Sequence, residues 1–124
     1  METVQLEEKV YAALLADEIL MDLLPNREQS IFHLQAPAGE YPREPCIVYT
    51  PISDVPVLAA DNAEELHRVL MRIHIITEDG NYADIYKAIK RIMSELGFSR
   101  QQATPLADRG KKMLAVDFKI IIGG

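Results

Sequence analysis

Three histidines, one cysteine and a scatter of carboxylates are the residues of this chain with catalytic or metal-binding chemistry to offer. His67 and His74 lie seven positions apart in an alternating stretch, which puts them on opposite faces of a strand. Neither they nor His33 have a second histidine or a carboxylate at ligand spacing, and a zinc site needs converging ligands. Cys46 sits beside Ile47-Val48, without the base and electropositive surroundings a nucleophilic thiol requires, so it reads as a buried, reduced thiol. Asp79-Gly80-Asn81 lacks the alternating acidic ligands and terminal glutamate of a calcium loop and reads as a turn. Ser53 lacks the flanking glycines of a nucleophile elbow, and no phosphate-binding glycine loop occurs. The expectation is a protein without catalytic residues, cofactor or metal.

The charge points the same way. The 124 residues carry a formal net charge of -6, which argues against phosphate-backbone binding through a basic face. Arg68 and Arg72, with Lys87 and Arg91, are better read as solvated charge or subunit salt bridges than as a nucleic-acid stripe. No stretch approaches the length of a membrane span, and the acidic start Met1-Glu2-Thr3 is unlike a secretory signal. The cytoplasm of the producing cell is the expected location.

The elements that would position these residues centre on His67 to Phe98. Val69, Met71, Ile73 and Ile75 fall on one face of a strand, and Arg68, Arg72 and His74 on the other. Glu78-Asp79-Gly80-Asn81 is a turn, Asn81 is the expected cap, and Ile85, Ile89, Ile92, Met93 and Leu96 recur at helical spacing up to a C-capping Gly97. Upstream, Thr3 is a candidate cap for a helix carrying Leu6, Val10 and Leu14; that helix could run on to Leu24, but the favoured reading is a break, with Asp17 capping a short second helix from Glu18 to Leu24. Ser30 to Leu34 reads as an edge strand, followed by a proline-rich surface loop over 35–45. Cys46 to Thr50 reads as a strand ending at Pro51. Ser99 to Asp108 reads as a strand interrupted near Pro105, with a turn at Arg109-Gly110-Lys111 before a last alternating strand.

This order predicts one α+β domain over residues 1–124, with two main helices packed on one face of a mainly antiparallel sheet of four to five strands. Ile89→Asp is expected to unfold it. Two surfaces stand out as candidate sites. The uncovered sheet face carries Arg68, Leu70, Arg72, His74, Ile76 and Ile121, with Met113 beside them, and a part-apolar, part-charged face suits a partner. The stretch between Pro51 and His67 reads as a strand extension followed by a long flexible connection rich in acidic and small residues, holding Asp54, Val57, Leu58, Asp61, Glu64 and Glu65. Loops of that length are often functional.

Taken in order, these pieces resemble the tail-completion (tail-terminator) proteins of long-tailed bacteriophages and prophages. The residues that carry the resemblance are Asp17-Glu18-Ile19-Leu20-Met21-Asp22-Leu23-Leu24 and the proline-rich loop, then Pro45-Cys46-Ile47-Val48-Tyr49 and Ile52-Ser53-Asp54-Val55-Pro56, then Leu96-Gly97-Phe98 closing the second helix. The resemblance implies an α+β subunit forming a ring, typically a hexamer, that caps the tail tube and meets the head-tail connector. Its partners would be itself, the tube protein and the connector, with no direct nucleic-acid sequence recognition and no membrane. It would reside in the host cytoplasm during assembly and then at the head-proximal end of the virion tail, with the acidic connection as a lumen or tube contact. A head-completion or minor tail protein is the neighbouring alternative. A small ligand-binding or enzymatic α+β domain is the alternative from another class.

Overall fold

The computed structural model describes residues 2–34, 45–60 and 63–123, with side chains described for all of these except 58–60 and 63–65. In chain order the elements are α1 (Thr3–Ala16), α2 (Glu18–Leu23), a 3-10 turn (Arg27–Ser30), β1 (Ile31–His33), β2 (Cys46–Ala60), β3 (Ala63–Thr77), α3 (Ala83–Glu95), β4 (Ser99–Asp108) and β5 (Lys111–Gly123). The sheet has five strands in the order β1-β2-β3-β5-β4. β1 runs parallel to β2, and every other neighbour is antiparallel. The α+β reading, with helices on one face of a mainly antiparallel sheet, holds.

Period-two alternation in the two central strands makes the core. Val69, Met71, Ile73 and Ile75 of β3, with Leu114, Val116 and Phe118 of β5, point to the helical layer and are buried. They meet Leu6, Val10 and Leu14 from α1 and Ile85, Ile89, Ile92 and Met93 from α3 in one apolar cluster. α3 ends as its glycine demands: Gly97 adopts φ +98°, its N–H reaches Ser94 O at 3.0 Å, and Phe98 N–H reaches Met93 O at 2.9 Å. These two bonds cap the last carbonyls in a left-handed reversal that a side chain would strain. Asp17 caps α2 as expected, its Oδ1 accepting from Leu20 N at 2.9 Å, and it also holds Arg91 of α3 at 2.7 Å. At the β4–β5 turn Arg109 (φ +51°) and Gly110 (φ +78°) are both left-handed, the two-residue reversal that suits a twisted hairpin.

Several local expectations are corrected. Thr3 is the first helical residue rather than the cap, a place taken by Glu2. Asn81 does not cap α3; its N–H bonds Asp79 Oδ1 at 2.9 Å, and Tyr82 occupies the cap position without a side-chain bond. β2 does not stop at Pro51, and the stretch to His67 is no loose connection. It is an antiparallel hairpin, paired from Cys46↔Ile76 out to Ala60↔Ala63, with register shifts after Pro51, Pro56 and Leu58. Prolines are tolerated there because β1 covers β2 only at Ile47, Val48 and Tyr49. Beyond them β2 is an edge among the described residues, where a missing N–H removes no ladder bond. Pro105 likewise leaves β4 uninterrupted, since β4 is the outermost strand. Residues 35–44 of the proline-rich stretch and Asp61 lie outside the described residues, as do the side chains of Leu58, Glu64 and Glu65.

Candidate functional site

Register converts the face away from the helices into rows of side chains across the strands, because directly paired residues share a face. One row is Cys46, Ile76, Met113 and Leu106; the next is Val48, His74, Ala115 and Thr104; the next is Thr50, Arg72, Asp117 and Gln102. Towards the hairpin arm follow Ser53, Leu70 and Lys119, then Val55, Arg68 and Ile121. The face therefore grades from apolar, through a charged centre, to a mixed basic and apolar end.

The apolar end is closed. Ile76 and Met113 are buried with Cys46 and Val48, and Phe32 of β1 packs against them, in a second small cluster on this side of the sheet. This corrects the expectation that Ile76 and Met113 stand open. Burial raises the Cys46 thiol to about 11, with Lys111 opposing weakly. That is the inert reading of the cysteine, since the reactive form is the thiolate.

The centre is a cross-strand ion pair. Arg72 Nε donates to Asp117 Oδ1 at 2.7 Å and its terminal nitrogen donates to Oδ2 at 3.2 Å, while Gln102 Nε2 donates to Oδ2 at 3.1 Å. The bonds from Arg72 hold the Asp117 carboxyl below the usual carboxylate range despite its burial, with Gln102 helping. Next to it the His74 ring is held below its ordinary value, first by burial and then by the Arg72 charge. These residues, with Thr104, Leu106 and Ala115, line a shallow groove of about 250 Å³. Arg72, Asp117 and Gln102 are engaged with one another there, and among the described residues no hydrogen bond ties the His74 ring into their network. The sequence places Asp117 on this face of the last strand but does not single out Asp117 or Gln102 as site residues; the available signal was the one acid between Met113 and Ile122.

The far end is open. Arg68 is exposed, Ile121 is 50% exposed, Leu70 is half-buried, and neither Arg68 nor Lys119 forms an ion pair with a described residue. Of the six residues expected on this face, five thus share an accessible surface and Ile76 does not.

The acidic stretch, now part of the hairpin, contributes a different contact. Asp54 accepts a hydrogen bond from the Thr3 hydroxyl and stands 2.5 Å from His67 Nδ1, with the His67 side chain only 3% exposed. The Thr3 bond, with His67 adding to it, holds the Asp54 carboxyl below its usual value. The carboxylate lies between hydroxyl and imidazole, with Oδ2 toward Thr3 and Oδ1 toward His67. The arrangement pins the start of α1 to the root of the arm. A parallel pin joins His33 to Glu7 at 2.6 Å, with the His33 ring stacked on Tyr49 at 5.0 Å. Sequence spacing shows neither pair, because each joins residues from separate elements. Val57 is 41% exposed on the arm. Among the described residues no group of three or more His, Cys, Asp or Glu is placed to hold a metal ion, and no helix is long and apolar enough to cross a membrane.

Comparison with known proteins agrees with the fold. The family model described as tail completion protein gp17 matches residues 8–123. Among solved structures, a chain of the virion of a native gene transfer agent particle superposes with a TM-score of 0.63 at 17% identity, over 96% of this chain and 95% of that one. A second solved chain, at 10% identity and a TM-score of 0.37, is too unlike this one to carry an argument. No curated protein matches.

Proposed function

The chain belongs to the phage tail completion protein family, and from that premise we propose that it works as a ring, a hexamer by the resemblance, that terminates the tail tube. A closed ring seated on the growing end of the tube excludes further tube subunits and presents its other side to the head-tail connector. Its partners are then further copies of itself, the tube protein and the connector. It assembles in the host cytoplasm, remains at the head-proximal end of the tail, acts as one domain over residues 1–124, and catalyses nothing.

One observation supports this reading above others: the open end of the second sheet face, where Leu70 and Ile121 stand among Arg68 and Lys119 beside the Arg72–Asp117 pair and His74. Partly exposed apolar residues on a sheet face suit a protein partner. The fold shared with a chain of a gene transfer agent virion is consistent with a place in a particle. The arm from Asp54 through Val57, Leu58, Asp61, Glu64 and Glu65 is the candidate contact with the tube or the ring lumen.

Deleting the gene tests the station: tails of uncontrolled length, unattached to heads, are expected. Tails of normal length that fail to join heads identify a head-completion protein instead. For the surface, Leu70→Glu should leave the circular dichroism spectrum intact while light scattering shows weakened assembly. Loss of helix signal in step with assembly would show that Leu70 belongs to the core.

A further inference from the structure

α1 differs from α3 on its outward side. α3 presents Asp84, Lys87, Lys90 and Ser94 to solvent, the polar back of an ordinary amphipathic helix. α1 exposes Gln5, Lys9 and Ala12 as well, but one stripe of its surface carries Val4, Glu8 and Tyr11, spaced i, i+4, i+7, with Val4 64% exposed and Tyr11, stacked on Tyr49 by one ring face, still 36% exposed. The acid in the middle of the stripe, Glu8, makes no ion pair with a described residue, and the surroundings reinforce its sign: residues 2–28 hold seven acidic and two basic side chains.

The open end of the sheet face has the matching composition with the opposite sign, Leu70 and Ile121 set among Arg68 and Lys119. We propose that the α1 stripe of Val4, Glu8 and Tyr11 docks on this patch of a neighbouring copy, with Glu8 opposite Arg68. The two surfaces lie on opposite layers of the subunit, so no chain satisfies its own pair. Each copy offers one surface to the copy before it and the other to the copy after, a head-to-tail contact that closes into a ring when its rotation permits. Paired charge sets the register of such a contact, and the apolar residues supply its buried area. The inference rests on the ring reading and names the two surfaces that make the ring.

Charge reversal tests it with the full chain. Sedimentation of the parent, Glu8→Arg, Arg68→Glu and the double variant is compared, with circular dichroism confirming that each is folded; both positions are exposed. Each single reversal should raise the dissociation constant about tenfold or more, and the double variant should regain most of the loss. Single variants that assemble like the parent, or a double variant no better than the singles, overturn this pairing while leaving the ring standing. A parent that stays monomeric at every soluble concentration, alone and with tail tubes, overturns the ring and the pairing together.

Discussion

Arg72 and Asp117 stand directly opposite one another on β3 and β5, and their contact is a hydrogen-bonded ion pair rather than a proximity of charges, with 2.7 Å between Nε and Oδ1. Asp117 is nearly buried, its side chain 7% exposed, whereas that of Arg72 is 37% exposed. The carboxylate therefore depends on its partner more than the guanidinium does. Removing one member of such a pair strands the other, and the stranded group sets the cost.

Arg72→Ala should accordingly destabilise the fold by about 2 kcal/mol at neutral pH, less than a fully buried pair would lose, because Arg72 is partly solvated. The sign of the pH dependence follows from the direction of the shift. The folded carboxyl of Asp117 lies below its ordinary value, so the stabilisation is complete above the unfolded value and fades as pH falls through the folded one. Urea melts of parent and variant should differ fully at pH 7 and begin to converge only below about pH 4, as the pH passes out of the ordinary carboxylate range toward the lowered value of Asp117.

Ile76 and Leu70 share a strand and a face yet should respond differently to truncation. Ile76 is 2% exposed, within the cluster of Cys46, Val48 and Met113, so Ile76→Ala should cost about 2–4 kcal/mol. Leu70 is only half-buried, and Leu70→Ala should cost less than about 1.5 kcal/mol in the isolated subunit. Urea denaturation of the two variants at low protein concentration, where association is suppressed, measures the contrast.

Asp54 joins Thr3 and His67, so Asp54→Ala should free the beginning of α1 without melting the core. Amide hydrogen exchange in the first turns of α1 should accelerate about tenfold, while the α3 amides between Ile89 and Met93 keep their protection. Equal acceleration in both helices would mean that Asp54 supports the whole fold.

Cys46 should be silent in the native state and reactive outside it. With its thiol pushed up to about 11 by burial, roughly one molecule in a thousand carries the thiolate at pH 8 even before access is considered. Iodoacetamide should leave the folded protein unmodified over hours and label it fully in denaturant, as read by intact mass.

Sequence by itself determined whatever a few neighbouring residues decide. Alternation in β3 and β5, helical spacing in α3, the Asp17 cap, the left-handed Gly97 and the Arg109-Gly110 reversal are local, because each depends on the steric and hydrogen-bonding preferences of residues within a turn of one another. Tertiary structure alone decided the rest. Pro51 and Pro56 read as strand breakers until β1 proves only three residues long and leaves that part of β2 as an edge. Ile76 and Leu70 have the same parity and similar chemistry, but Cys46, Val48, Met113 and Phe32 surround one, while Ser53 and Lys119 flank the other. Asp54 meets His67, and Glu7 meets His33, only because a hairpin and a helix bring separate stretches together. Burial and pairing are properties of the sum of contacts across the chain, and periodicity records which face a residue takes without recording what comes to cover it.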